Sequence, residues 1–426
     1  MNLRIYTKVV LFALATLVMS SCSKDNEDVA EKIQLTIQAQ APTDDDAVSD
    51  YSDFQVTLLS QRDGKSLSQK LSKTGEITFT VDKGSYNVEI SGLVDGKSYY
   101  GTSGIVQFGQ SKTYALSVKH IVKAYTGKMD GIVFKEIFYN GGTYGGTMMH
   151  PDQYLVIANN SDSDICVDSL VIAQSSNMNT LPCNTLTDLL PDFVAAANMY
   201  MIPGDGKTHV LKSGEVYVIA CSALNHTEYY EKNAEKDTGI PVDLSGADFE
   251  LADEDASQKG AVTDNPEVPN LIKISNSLPN GVTGWMHPYG IRPMFLFDAS
   301  GINWDTFKAE NALTYKEKTN INSEIKEYQA YKIPTRLIVD GVESTSETTP
   351  YWGNYSTKSL PTEVDKSYVV ATLFAEGASL ACHSSTFMYR LSGTDGKLLD
   401  TNNSSQDMKI EHRANFGGYP KGWRNK

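Results

Sequence analysis

Between positions 131 and 173 the chain reads GIVFKEIFYNGG and then, after nine residues, DQYLVIANNSDSDICVDSLVIA. Ile132, Phe134 and Ile137 open one apolar run, Tyr154 to Ile157 form a second, and Val167, Leu170 and Ile172 belong to a third. Asn159 to Asp164 form a turn-forming cluster between the last two. Runs this short, rich in β-branched residues and bounded by Asn, Asp, Ser and Gly, predict sheet strands. A further run, 214–220 (GEVYVIA), follows a Gly/Ser turn region and has the same character.

The start of the chain is different. Arg4 and Lys8 precede an apolar run from Val9 to Met19, which leads into Ser20, Ser21 and Cys22. That run is too short for a permanent membrane span and suits a secretory signal peptide over 1–21. Met19-Ser-Ser-Cys22 resembles a bacterial lipobox, which implies lipid on Cys22 and a mature N-terminus there. Secretion with cleavage nearby is the alternative. Ser23 to Asp28 are polar and charged, so 22–32 reads as a solvated tether. Its acidic run resembles the signal that sends Bacteroides lipoproteins to the outer face of the outer membrane; retention on the periplasmic face is the other reading.

Period-two alternation appears at 31–39, 54–58, 76–81, 84–90 and 113–118, with breaks at Asp63-Gly64, Lys83-Gly84, Asp95-Gly96 and Gly109. Six or seven short strands in this stretch predict a small β-sandwich over 33–123, because two amphipathic sheets bury their apolar faces against each other. The run from Phe79 to Ile90 resembles the carboxypeptidase-regulatory or transthyretin-like immunoglobulin-like sandwiches, which implies a stalk or spacer role. Asp44, Asp45 and Asp46 could supply oxygen ligands to calcium; a solvated loop is the simpler reading.

From 124 to 426 the same logic predicts a larger sandwich, so the fold class is all-β. The strand ending in Glu136, the Tyr154 strand with its Asn-rich turn, the Cys166 segment and the GEVYVIA run together resemble the lamin-tail family of immunoglobulin-like domains. Arg390, the segment from Leu399 to Ser405 and Asp407 resemble that family's closing segment. A long insertion at about 222–366 has no counterpart in a minimal lamin-tail domain. In this enlarged form the chain resembles a family of uncharacterised Bacteroides lipoproteins of about this length. Within the large part, the segment 186–201 reads as a short broken helix or an ordered loop. Leu337 to Val339 reads as strand, followed by a turn at Asp340-Gly341. The cluster from Asn402 to Asp407 reads as a locally hydrogen-bonded loop.

Chemistry is sparse in the sequence. With 52 acidic and 37 basic side chains the formal charge is -15, which repels a phosphate backbone and argues against nucleic-acid binding. Besides Cys22 there are Cys166, Cys183, Cys221 and Cys382, without a CxxC pair or zinc spacing. Export permits disulfides; 166 to 183 with 221 to 382 is the favoured pairing, against buried free thiols. The 7 histidines form no HExxH helix signature, and no nucleophile elbow, phosphate loop or dinucleotide fingerprint is present. Gly141 to Gly146 is glycine-rich without the lysine and helix that would cradle phosphate. No catalytic, cofactor or metal residue is assigned. Tyr144, Trp285, Tyr289 and Trp304 are candidate ligand contacts, with core or loop packing as the competing role.

The reading favoured by these features is a noncatalytic surface lipoprotein, anchored in the outer membrane by its lipid, that binds a ligand or partner and assists a transporter in nutrient uptake. A metal-assisted hydrolase formed by loops of the larger part, and a structural adhesin or spacer, are the alternatives.

Overall fold

The computed structural model describes residues 31–40, 48–62, 65–94, 97–140, 152–181, 183–228, 242–251, 264–276, 286–287, 290–318, 322–346, 357–371 and 386–412. They are predominantly strand, in several sheets, with little helix.

The first eight strands are β1 (Lys32–Gln40), β2 (Gln55–Ser60), β3 (Ser66–Lys70), β4 (Glu76–Asp82), β5 (Gly84–Val94), β6 (Lys97–Phe108), β7 (Lys112–Ser117) and β8 (Lys119–Ile121). They make a three-stranded sheet, β4-β1-β7, and a five-stranded sheet, β3-β2-β5-β6-β8. Alternation explains the pairing of the two. In β1 the side chains of Ile33, Leu35 and Ile37 point inward, where they meet Val56 and Leu58 of β2 and Val88 and Ile90 of β5 in one core. Every member of that core lies between Ile33 and Val118. Gly92 is required by this packing: a Cβ there would sit 2.3 Å from Cγ of Phe54, whose ring is fully buried between Tyr51 and Tyr99.

The five-stranded sheet is unusual on its other face. Thr57, Asn87, Glu89 and Ser91 alternate with the core residues and are nonetheless buried, because the second group of strands packs over them.

That second group comprises β9 (Ile132–Phe138), β10 (Tyr154–Asn159), β11 (Ile165–Cys166), β12 (Leu170–Ser175), β13 (Phe193–Met201), β14 (Val210–Leu211), β15 (Val216–Ala220), β16 (Phe249–Glu250) and β17 (Ile272–Asn276). It continues with β18 (Met294–Asp298), β19 (Ala312–Glu317), β20 (Lys326–Pro334), β21 (Ile338–Val342), β22 (Ser344–Ser346), β23 (Val369–Ala371), β24 (Thr386–Arg390) and β25 (Met408–His412). Short helices accompany them, among them α1 (Asn184–Thr187), α2 (Trp304–Asn311) and α3 (Ser404–Asp407).

Two large sheets result. One runs β16-β15-β10-β9-β24-β25; the other runs β19-β20-β13-β12-β18-β21, with β17 added on β13. Leu155 and Ile157 of the first face Leu170, Ile172 and Leu296 of the second across a shared core. Their neighbours Tyr154 and Val156, and on the other sheet Val171, Ala173, Phe295 and Phe297, are buried in separate outer layers. Both sheets are therefore covered on both faces, which is why their strands read as continuous apolar runs without alternation.

The segment 222–366 is integral to this arrangement. It supplies β16 to one sheet and β17 to β21 to the other, so without it the shared core has only part of its second wall. Two local expectations are corrected. The run from Phe193 to Met201 is the strand β13, hydrogen-bonded to β12, β17 and β20, because its small alanines let neighbouring layers close on it from both faces. Asp340 and Gly341 lie inside β21, opposite Leu296 and Phe295, and do not form a turn.

Candidate functional site

Asp340 is an acid in a strand interior, and its carboxylate explains why it is tolerated there. Its Oδ2 accepts from the backbone N–H of Phe134 at 2.7 Å and from Nη2 of Arg390 at 2.7 Å. Arg390, on β24, also donates through Nε to the Phe134 carbonyl at 2.7 Å and through Nη1 to the Leu399 carbonyl at 3.0 Å and Oδ1 of Asp400 at 3.3 Å. Burial pushes Asp340 up to about 6, against the pull of Arg390. This cluster joins β9, β21 and β24 through all three nitrogens of one guanidinium.

A second cluster lies where the five-stranded sheet meets the larger sandwich. Glu343, just past β21, accepts from Nζ of Lys358 and the N–H of Ser359, and from Nδ2 of Asn179 at 3.3 Å. Asp365 accepts from the N–H of Glu343 at 2.7 Å, from the N–H of Ser404 at 2.8 Å and from the Ser404 hydroxyl. Glu89, on β5 of the first sandwich, accepts from Nδ2 of Asn87 at 2.8 Å and from the Ser367 hydroxyl at 2.7 Å. That last bond crosses between the two sandwiches. Lys366 Nζ to Ser98 Oγ at 2.7 Å, and Gln406 Nε2 to Ser91 Oγ, cross the same junction. Burial raises all three carboxyls, Glu89 and Glu343 to about 7 each, with Lys358 opposing the shift in each case.

Beside this cluster the junction leaves a cleft of about 390 Å³. Thr57, Ser66 and Ser68 line it from the first sandwich, and Tyr368, Val370 and Ile410 from the second, with Glu89 and Ser367 also on its lining. The walls combine hydroxyls with apolar surface, and two separately cored bodies contribute to them.

A third constellation escaped sequence reasoning. Cys166, Asp168 and His209 come together, although 41 positions separate the last two. Asp168 accepts from the N–H groups of Gly206 and Thr208 at 2.8 Å each and of His209 at 2.9 Å, and its Oδ1 lies 2.7 Å from Nδ1 of His209. Burial acts to raise this carboxyl, but the backbone donors of Thr208 and His209 and the His209 ring hold it down at about 2. Burial raises the Cys166 thiol, so it stays protonated and is no activated nucleophile. The group is a clip on the 203–209 turn, and Gly204, with φ +138°, leaves the space that a Cβ 2.1 Å from Cγ of Asp168 would take. The Pro203-Gly-Asp-Gly206 run ahead of His209 was the available signal. Because its pKa is depressed from 3.8, Asp168 contributes about 2 kcal/mol above that value, lost as pH falls through about 2. Chemical denaturation of Asp168→Asn and the native chain should differ most at pH 7 and converge toward pH 2.

Trp304 opens α2 and is half-buried, its ring edge-on to Phe297 at 6.4 Å and Phe307 at 5.6 Å on the outer core layer. Cys22, Tyr144, Trp285, Tyr289, the Asp44 to Asp46 loop and Cys382 lie outside the described residues. The expected 166 to 183 disulfide is not formed: Cys166 pairs through its backbone with Val210 on β14, and the Cys183 thiol donates to the Lys316 carbonyl at 3.3 Å. These backbone and thiol partners hold the two side chains in different neighbourhoods. Cys221 is buried. Among the described residues no three His, Cys, Asp or Glu side chains are grouped to hold a metal ion, and no helix is long and apolar enough to cross a membrane.

No curated protein matches the chain. Among solved structures, DUF3823 family proteins from Parabacteroides merdae and Bacteroides ovatus each share 12% identity over 35% of this chain, covering 68% and 67% of theirs, with TM-scores of 0.16. A DUF4876 family protein from Bacteroides thetaiotaomicron is similar at 18% identity, covering 92% of this chain and 97% of its own, with a TM-score of 0.46. Residues 212–415, just under half of the chain, match the family described as protein of unknown function (DUF4876).

Proposed function

We propose that this is a noncatalytic binding or assembly lipoprotein, anchored through Cys22 to the outer membrane and displayed outward, whose ligand or partner seats in the junction cleft. The observation that carries the reading is the cleft itself: about 390 Å³, walled by hydroxyls and apolar side chains from two separately cored sandwiches. The carboxylates beside it are held by backbone N–H groups, hydroxyls and Lys358, an arrangement suited to shaping a wall. In this reading the first sandwich is transthyretin-like and positions the cleft above the membrane, and the second is an enlarged lamin-tail-like domain. Assistance to an outer-membrane transporter follows from the location.

Two measurements test it. Intact mass of membrane-purified protein should show lipid on Cys22, and Cys22→Ser should move the chain to the soluble fraction; an unmodified protein beginning elsewhere sinks the anchor. Thermal-shift screening against peptides, oligosaccharides and small metabolites should give a stabilising hit that Ser68→Trp, which fills the cleft, abolishes. A hit retained in that variant places binding elsewhere, and turnover of any panel member overturns the noncatalytic reading.

A further inference from the structure

Glu89 stands on the polar face of β5 and reaches across the junction to Ser367, so its environment is assembled from both sandwiches. From its own sheet it faces Asn87 and Tyr100. From the second sandwich it faces Ser367, Lys358 and Asp365, and Asp365 is in turn bonded to the Glu343 N–H and to Ser404 at the start of α3. Lys65 and Lys409 line the same cleft, and Lys409 is bonded to Glu411 at 2.6 Å. Lys366, beside Asp365, is committed to Ser98 and the Thr401 carbonyl. Three buried carboxyls thus share Lys358 as the cation opposing each of their shifts.

The geometry points to a proton-linked latch: uptake of a proton by the Glu89, Asp365 and Glu343 cluster closes the two sandwiches on each other, and its loss loosens the junction and opens the cleft. Three observations support the direction. The hydrogen bonds named across the junction are between polar side chains, the kind of surface across which relative motion of two bodies is expected. A protonated Glu89 still accepts from Ser367 and Asn87 through Oε1, so protonation breaks neither bond. Separation, by contrast, returns an ionised Glu89 to water and removes it from Asp365. Glu89 also lines the cleft, which gives the proton a path from solvent.

The sign follows from the raised carboxyl. Glu89 goes from 4.5 when exposed to about 7 in the closed junction, so closure is favoured fully below 4.5 and the advantage is lost as pH rises through about 7. For this one group the opening equilibrium should rise about 70-fold from pH 5 to pH 8. The inference concerns the junction with no ligand present, so it stands or falls separately from the binding reading.

Thiol labelling of the full chain carrying Ser91→Cys, read at that residue and corrected for the thiolate fraction, tests it, because Ser91 is buried on the junction face and bonded there to Gln406 of the second sandwich. Its protection should fall by up to about 70-fold between pH 5 and pH 8 while that of Ala39→Cys in β1 is unchanged. Glu89→Gln, neutral at every pH, should keep more of the low-pH protection at pH 8 and diminish the response. Ser367→Ala should lower protection at pH 5 with β1 again unaffected. A pH-independent native junction, an undiminished response in Glu89→Gln, or an equal response in β1, which would signal global unfolding, overturns the latch.

Discussion

Replacing Arg390 with methionine is expected to destabilise the full chain by about 3–5 kcal/mol, read as a lowered urea midpoint with an unchanged slope. The guanidinium is 2 % exposed and bonded to Asp340, the Phe134 and Leu399 carbonyls and Asp400, with Asp407 at 3.8 Å. Methionine fills much of the volume but leaves Asp340 and Asp407 buried without this cation and takes a donor from the Phe134 and Leu399 carbonyls. Most of the loss should come from uncompensated charge. Adding Asp340→Asn to Arg390→Met should therefore recover part of it, although Asn alone is destabilising. If the double variant is as unstable as the sum of the singles, the pair is not coupled and the account of this cluster is wrong.

The fold was legible where burial follows a simple period. Alternation at 31–39 located β1, and the apolar runs at 154–157 and 214–220 located β10 and β15. It was less legible where packing overrides propensity. Ala195, Ala196 and Ala197 favour helix by intrinsic preference, yet they occupy the middle of β13 between two covering layers. The segment 97–108, interrupted by Gly101 and Gly104, showed no alternation to single it out, yet as β6 it pairs along most of β5.

The polar clusters were not legible, for a physical reason. Asn179, Glu343, Ser359, Asp365 and Ser404 meet only after two sheets have stacked, and each alone looks like an ordinary surface residue. One part had a local signal. The Asn402 to Asp407 run does bond to itself, although Ser404–Asp407 is the helix α3 and not a loop: Asp407 accepts from the Asn403 N–H at 3.1 Å, and Asn403 accepts from the Ser405 N–H at 3.2 Å. What that run could not reveal is that the same turn presents Ser404 to Asp365 and Gln406 to Ser91.

Lys358→Met is expected to destabilise the chain strongly at pH 8 and weakly at pH 5.5. The ammonium donates to Glu343 and to the Asp365 carbonyl at 2.6 Å, and its charge opposes the upward shift of Glu89, Glu343 and Asp365 together. At pH 8 Glu89 and Glu343 are largely ionised, and removing the cation should cost about 3–5 kcal/mol, the range for breaking a buried pair. Without Lys358 the carboxyls titrate higher still, so by pH 5.5 Glu89 and Glu343 are protonated. What is lost there is mainly a hydrogen-bond donor, worth about 1 kcal/mol. The sign is that of raised acids, whose contribution is full below 4.5 and disappears as pH rises through about 7. Urea denaturation of both chains at the two pH values measures the contrast directly. An equal loss at pH 5.5 and pH 8 would mean that Lys358 acts through packing and hydrogen bonding alone, and the charge balance assigned to the junction would be wrong.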